Sequence, residues 1–398
     1  MDAFDPDLPK KLDERMARHV ETGGTGGVAW LASRDGEVVA GSAGVLTRGE
    51  PAPVERDSLF RIASTTKPIT AVAALLLVEE CRLRLEDPVD DLLPELADRR
   101  VLVDPRGPID GETVPAERPI TVRDVLTMQC GLGMDFTAPW PQPLLDAMGE
   151  LGLSPGAPEP QVPPEPDEWM RRMGTLPLLT QPGGPWLYNT ASDILGVLVG
   201  RAAGMPFDRF LRERVLDPLG MSDTGFCTSA TDRLGTSYAV DPGTGERSVY
   251  DGPDGKWSTP PAFPSGAAGL VSTVHDLAAF GNMLLAGGYL PDGSRLLSRA
   301  SVEAMTTDQL GVAAGLRPSV SADGGMGWGF GVGVQIRRTG VARSVGTYGW
   351  DGGLGSSWAN DPAEDLVGVV LSTDMFAGAE ALPHPLADFW TTVYAALD

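Results

Sequence analysis

Apolar residues recur every fourth position at Leu8, Leu12, Met16 and Val20, and this period predicts a surface helix over 7–22. Two apolar stretches then flank Arg34-Asp35-Gly36 and predict a hairpin with strands over 26–33 and 37–43. The pattern changes at residue 64. From there to Glu80 the chain is apolar almost all round, with Ile69, Ala71 to Val78 and no polar face, so this helix belongs inside the protein. Further helices are predicted over 122–130, 189–203, 207–215, 274–286 and 301–307. The stretch 131–167 reads as irregular, and its proline-rich run 155–166 is too stiff and polar for a core and is expected at the surface, beside any cleft. The last third switches to period two. Strands are predicted over 329–337, 342–348, 356–360 and 366–373, with a closing helix over 379–396.

Strands at both ends with helices between them predict an α+β fold: an antiparallel sheet flanked by helices and built from both chain ends. Residues 1–62 and 260–398 are expected to form the sheet domain, and 63–259 an inserted, mainly helical domain with long loops. Their junction is the expected place for a site.

Composition removes several function classes. The chain has 398 residues and a formal net charge of −23, which repels nucleic acid and acidic membrane surfaces. The first 21 residues hold no apolar signal region, and the run 71–78 is too short to cross a bilayer, so a soluble cytoplasmic protein is expected. Cys81, Cys130 and Cys227 are widely spaced and read as core thiols rather than a disulfide or zinc set. Neither metal nor cofactor is expected, and oligomeric state is left open.

The chain has three histidines, His19, His275 and His384. One G-x-S-x-G match, Gly152 to Gly156, places Pro155 after its serine, where a nucleophile elbow needs a backbone N–H for the oxyanion. A serine enzyme built from this chain needs another base. Phe60 to Lys67 supplies one, because Ser64-x-x-Lys67 puts hydroxyl and amine on one helix face at i and i+3. Only four lysines occur, and one of them opens the most apolar helix in the chain. A lysine desolvated there loses its proton near neutral pH, whereas an arginine never does. Ser64 would also start the helix, whose N-terminus favours negative charge at the reacting centre. Tyr188 sits just before another predicted helix start. Read alone it is an aromatic packing on Trp186; beside Lys67 it is a phenol held partly as phenolate, able to take the serine proton.

These motifs resemble a known family. Ser64-x-x-Lys67, then Pro182-Gly183-x-x-Trp186-x-Tyr188, then Trp350-Asp351-Gly352-Gly353 are similar in order and context to the class C β-lactamase superfamily, and most of all to family VIII carboxylesterases. Three glycine-bearing segments, 218–224, 268–273 and 327–331, extend the match over nearly the whole chain. The resemblance implies the β-lactamase/transpeptidase-like fold. It also implies acyl-enzyme chemistry, with Ser64 as nucleophile, Lys67 and Tyr188 shuttling its proton, and the backbone N–H groups of Ser64 and Gly353 holding the oxyanion.

Two departures from that family bear on the substrate. Class C enzymes carry Lys-Thr-Gly where this chain has Trp350-Asp351-Gly352, so the cation that attracts a penicillin carboxylate is replaced by a ring and a carboxylate. The family's Tyr-x-Asn becomes Tyr188-Asn189-Thr190, which removes an amide expected to touch substrate. Trp350, Asp351, Gly352, Thr190 and Asp135 are therefore the expected lining of a pocket for a small, uncharged ester or amide. Carboxylester hydrolysis is the leading expectation. Acyl transfer to an alcohol or amine, weak β-lactamase or D-aminopeptidase activity, and a catalytically silent scaffold are the alternatives.

Overall fold

The structure is a computed structural model and describes residues 3–310, 320–321, 324–377 and 383–397. The chain opens with α1 (Leu8–Glu21) and the hairpin β1 (Gly27–Arg34) and β2 (Glu37–Gly44). Asp35 and Gly36 both take positive φ, the twist that a two-residue hairpin turn demands. The short β3 (Phe60–Arg61) leads to α2 (Thr66–Glu79), and β4 (Arg100–Leu102) with β5 (Thr113–Pro115) forms a small ribbon. Then follow α3 (Val122–Leu126), α4 (Pro143–Glu150), α5 (Pro166–Met173), α6 (Thr190–Ala203) and α7 (Phe207–Leu211). A second ribbon, β6 (Ser237–Val240) and β7 (Arg247–Asp251), precedes β8 (Val271–Ser272), α8 (Val274–Leu285) and α9 (Arg299–Met305). The chain closes through β9 (Met326–Trp328), β10 (Gly333–Gln335), β11 (Tyr348–Gly352), β12 (Ser356–Asp361), β13 (Leu366–Ser372) and α10 (His384–Tyr394).

Among the described residues the main sheet runs β2-β1-β13-β12-β11-β10-β9, antiparallel throughout, and β1 pairs with β13 from Val28↔Ser372 to Arg34↔Leu366. The two chain ends thus build one sheet. Side chains alternate across it. Val28, Trp30 and Ala32 pack with α1 and α10, whereas Ala29 and Leu31 join the large core that includes α2 and α8. Both faces are covered, which explains why β1 and β13 read as nearly unbroken apolar runs.

Four expectations need correction. Residues 131–167 are not wholly irregular: α4 begins at Pro143, and α5 starts at Pro166 at its end, each with proline in the first turn. There its missing N–H costs nothing. The strand expected over 342–348 lies later, at β11, because Arg343 turns the chain at φ 59° and Asp361 holds the Ser344 N–H at 2.9 Å. Of the strand expected over 329–337 only β10 forms: β9 ends before it, and Gly331 at φ 73° lies in the bend between them. Of the three cysteines, only Cys130 is fully buried; Cys81 is exposed. Residues 379–382 of the expected final helix lie outside the described residues.

Candidate active site

Ser64 sits in a tight turn that its neighbours hold from three sides. Arg61, buried in β3, pairs with buried Asp251, reaches the carbonyls of Gly235 and Gly252, and lies over the Trp257 ring. Ala63 takes φ 43°, a strained value for a residue with a Cβ, and strain of this kind collects at functional turns. Ser64 is therefore the middle of a 3-10 turn, Ala63–Thr65, rather than the first residue of the α-helix, which begins at Thr66. Ser356 of β12 donates to the Ile62 carbonyl at 2.7 Å and meets Thr65 Oγ1 at 2.8 Å, clamping the turn against the sheet.

Lys67 is 1% exposed, and its Nζ has three oxygen neighbours: Ser64 Oγ at 2.9 Å, Asn189 Oδ1 at 2.8 Å and the Ala267 carbonyl at 2.8 Å. Burial lowers its pKa to about 7, opposed by the charge of Asp193. As an ammonium, Lys67 donates to all three oxygens; as a neutral amine it gives its two N–H groups to Asn189 Oδ1 and the Ala267 carbonyl, which can only accept, and turns its lone pair to the Ser64 hydroxyl.

Asn189 is delivered by an unusual bend. Its φ of 82° and ψ of −65° form a γ-turn closed by the Thr190 N–H on the Tyr188 carbonyl at 3.2 Å. The bend lets adjacent residues serve one site, because Asn189 reaches Lys67 while the Tyr188 ring lies 4.5 Å from Lys67 Nζ. The Tyr188 hydroxyl bonds to Ser64 and accepts from Trp350 Nε1 at 2.8 Å. Burial pushes its pKa up to about 12, only partly offset by those two bonds. The expected partial phenolate is thus corrected: Tyr188 is a neutral phenol, and Lys67 is the group poised near neutral pH.

An aromatic wall continues from Tyr188. Its ring lies 5.0 Å from Phe136 and 5.8 Å from Trp350, and Trp350 meets Trp328 edge-on at 4.7 Å. The backbone of Met134 pairs with that of Tyr188 in both directions, which carries the Phe136 loop to the site.

Of the other expected pocket residues, Asp351 and Asp135 point elsewhere. Asp351 follows Trp350 on β11 and so faces the other side of the sheet, where Arg343 meets its carboxylate at 3.2 Å and Ser357 donates to it at 2.5 Å. Asp135 turns its carboxylate onto the backbone and hydroxyl of Thr137. Thr190 is buried at the start of α6, and the neighbouring amide, that of Asn189, is bonded to Lys67. Gly352 matters for its lack of a side chain: a Cβ there would lie 2.3 Å from both the Ile62 carbonyl and Ser356 Oγ. Only glycine lets β11 end against the Ser64 turn. Gly353 follows, with its carbonyl held by the Phe376 N–H at 2.9 Å and open space where a Cβ would stand.

No histidine approaches Ser64: His19 pairs with Asp388 at 2.9 Å, and His275 and His384 are exposed. The proline-rich run does border the site. Leu153, Ser154, Pro158 and Pro163 line a narrow recess opposite Asn189 and Ser265. The run is fastened by Glu159 to Lys256 at 2.7 Å, by Gln161 to the Lys256 carbonyl at 2.8 Å, and by the Tyr250 hydroxyl to the Pro158 carbonyl. Sequence reasoning missed Asn189, Asp193, Ala267 and Phe136. The Asn189-x-x-x-Asp193 spacing at a helix start was a usable signal; the Ala267 carbonyl left none.

Comparison with known proteins identifies the family. Residues 12–388 match the Beta-lactamase protein family. Protein Rv1367c of Mycobacterium tuberculosis is 39% identical over 325 residues, covering 79% of this chain and 77% of its own length. Esterase EstB of Burkholderia gladioli is 32% identical over 377 residues, covering 88% and 87%. The solved structure of "EstCE1, a hydrolase with promiscuous acyltransferase activity" superposes with a TM-score of 0.80 at 25% identity, over 98% of each chain. The chain therefore belongs to the beta-lactamase family and, within it, is similar to esterases of the family VIII kind.

Proposed function

We propose that the protein is a serine carboxylesterase for small, uncharged esters, working through an acyl-enzyme on Ser64. The observation that carries this reading is the hydrogen-bond inventory of Lys67. Two acceptor-only oxygens occupy its N–H groups, and its remaining neighbour is the Ser64 hydroxyl, 2.9 Å away.

In acylation the Ser64 oxygen bonds to the ester carbonyl carbon while its proton passes to the Lys67 amine. The backbone N–H groups of Ser64 and Gly353 receive the oxyanion. As the ester C–O bond breaks, Tyr188 gives its proton to the leaving alkoxide and is reprotonated from Lys67, so a neutral alcohol departs. Deacylation reverses these transfers with water as the nucleophile, releasing the acid and restoring Ser64. The aromatic wall of Tyr188, Trp350 and Phe136 offers surface to an apolar acyl or alkyl group and no cation to a substrate carboxylate. EstB, by its name an esterase, supports an ester as the substrate.

A second reading is acyl transfer to an alcohol. It uses the same residues and is favoured by the likeness to EstCE1, described as having promiscuous acyltransferase activity. Incubation with p-nitrophenyl butyrate, with and without a short alcohol, tests both. Phenol release with butyrate as product supports hydrolysis; a butyrate ester of the added alcohol supports transfer. Absence of turnover, together with no fluorophosphonate adduct on Ser64 by intact mass, refutes both readings and favours a silent scaffold.

A further inference from the structure

Behind Lys67 lies a carboxylate that the reaction above does not use. Asp193 lies in the first turn of α6, four residues after the N-cap Asn189. Asn189 grips Lys67 directly. Asp193 grips the segment on its other side: its Oδ1 accepts from Ser265 Oγ at 2.6 Å and from the Ala267 N–H at 3.1 Å, and Ser265 Oγ accepts from the Ala268 N–H at 3.1 Å. The carbonyl of that same Ala267 receives Lys67 Nζ. The segment can thread between α2 and α6 only because residue 266 is glycine, where a Cβ would lie 2.4 Å from the Ser192 carbonyl.

We infer that Asp193 is a positioning residue for Lys67, fixing the turn that presents the Ala267 carbonyl and supplying the negative charge that meets the lysine once it takes the serine proton. This rests on Lys67 being the base. A carboxylate is costly to bury, and its alternative, an asparagine, would hold the same turn without charge. The charge therefore has a use beyond architecture. Burial raises the pKa of Asp193, opposed by its bonds from Ser265 and the Ala267 N–H and by the charge of Lys67, while the carboxylate in turn raises the lysine's pKa against the lysine's own burial.

The other charged residues of α2 and α6 are occupied elsewhere. Glu79 of α2 accepts from Ser298 and Ser301, and Arg201 of α6 is taken by Glu95 and Asp167. Near α7, Arg209 pairs with Glu213 and Arg214 with Glu80. Tyr188 faces Lys67 as a neutral phenol.

The test is the pH dependence of Ser64 acylation by a fluorophosphonate, followed by intact mass in the full chain. Asp193→Asn retains an oxygen for both hydrogen bonds and removes the charge. Its acid limb is expected to move down by about one pH unit, because the amine becomes easier to deprotonate, while the plateau rate falls as the amine becomes a weaker base. Asp193→Ser, with room for water in place of the carboxylate, is the second variant and should move the limb the same way. A purely architectural role would scale the rate equally at every pH and leave the midpoint in place; that result, or an upward shift, overturns the inference. Lys67→Ala run in parallel separates the two readings. If it is inert while the Asp193 variants keep the wild-type midpoint, only the Asp193 inference falls; if it still acylates at the wild-type rate, both fall.

Discussion

The indole N–H of Trp350 donates to the hydroxyl of Tyr188 at 2.8 Å, joining the last long strand before the turn to the phenol beside Ser64. By occupying a lone pair on the phenol oxygen, the indole directs the tyrosine proton toward Ser64 and the departing group. Trp350→Phe keeps the aromatic wall and removes this donor. Its kcat for p-nitrophenyl esters is expected to fall about tenfold, the worth of one hydrogen bond, with KM nearly unchanged. Steady-state kinetics check the split.

The same position bears on charge. By the resemblance of its motif, Trp350 replaces the lysine of class C enzymes, and the nearby Arg343 is engaged by Asp351 on the far side of the sheet. Penicillin hydrolysis is expected to lag p-nitrophenyl ester hydrolysis in kcat/KM by at least roughly 10–100-fold, the worth of a lost charge-assisted bond. Comparable efficiencies would refute the pocket argument.

Activity should rise with pH through neutrality. Lys67 must be neutral to accept the serine proton, and its pKa is about 7. Below that value the amine is protonated, and kcat/KM should fall about tenfold per pH unit. Above it the rate should level off, since the phenol of Tyr188, pushed up to about 12, keeps its proton. A pH–rate profile with its midpoint above 9 would place the base elsewhere.

Lys67→Arg should cost about 10²–10⁴-fold in turnover, because a guanidinium does not give up its proton at these pH values. Circular dichroism should show the secondary structure retained, and intact mass should show little fluorophosphonate adduct on Ser64.

Gly352→Ala should damage catalysis without touching any reacting group. The new methyl would meet the Ile62 carbonyl and Ser356 Oγ at 2.3 Å, so β11 must retreat from the Ser64 turn. A shift of about 1 Å at a reacting centre costs on the order of 10²-fold. Ester turnover, measured beside a thermal melt, separates this loss from unfolding.

The periodic elements were legible in the sequence because their period reports which faces are buried. That holds for α1, the β1–β2 hairpin, the all-apolar α2, and the strands β12 and β13. Where local bonds or backbone bends override the period, it failed. Prolines opening α4 and α5 were read as loop, and Asp361 reaching across to Ser344 removed a strand. Asp351 was read as pocket lining from its place in a motif, although strand alternation alone sends it to the opposite face from Trp350.

By itself, the sequence determined which chemical groups are available: one serine three residues before a lysine on an apolar helix, a tyrosine at a second helix start, and no histidine suitably placed between them. These are local facts, set by spacing along the chain. Only the tertiary structure decided the protonation and direction of those groups. Burial lowers the Lys67 pKa and raises that of Tyr188, and a γ-turn at Asn189 brings the amide to the lysine. The Ala267 carbonyl, 200 residues away in sequence, completes the site. Desolvation and long-range hydrogen bonds depend on what packs around a residue, and no residue's neighbours in the chain specify that.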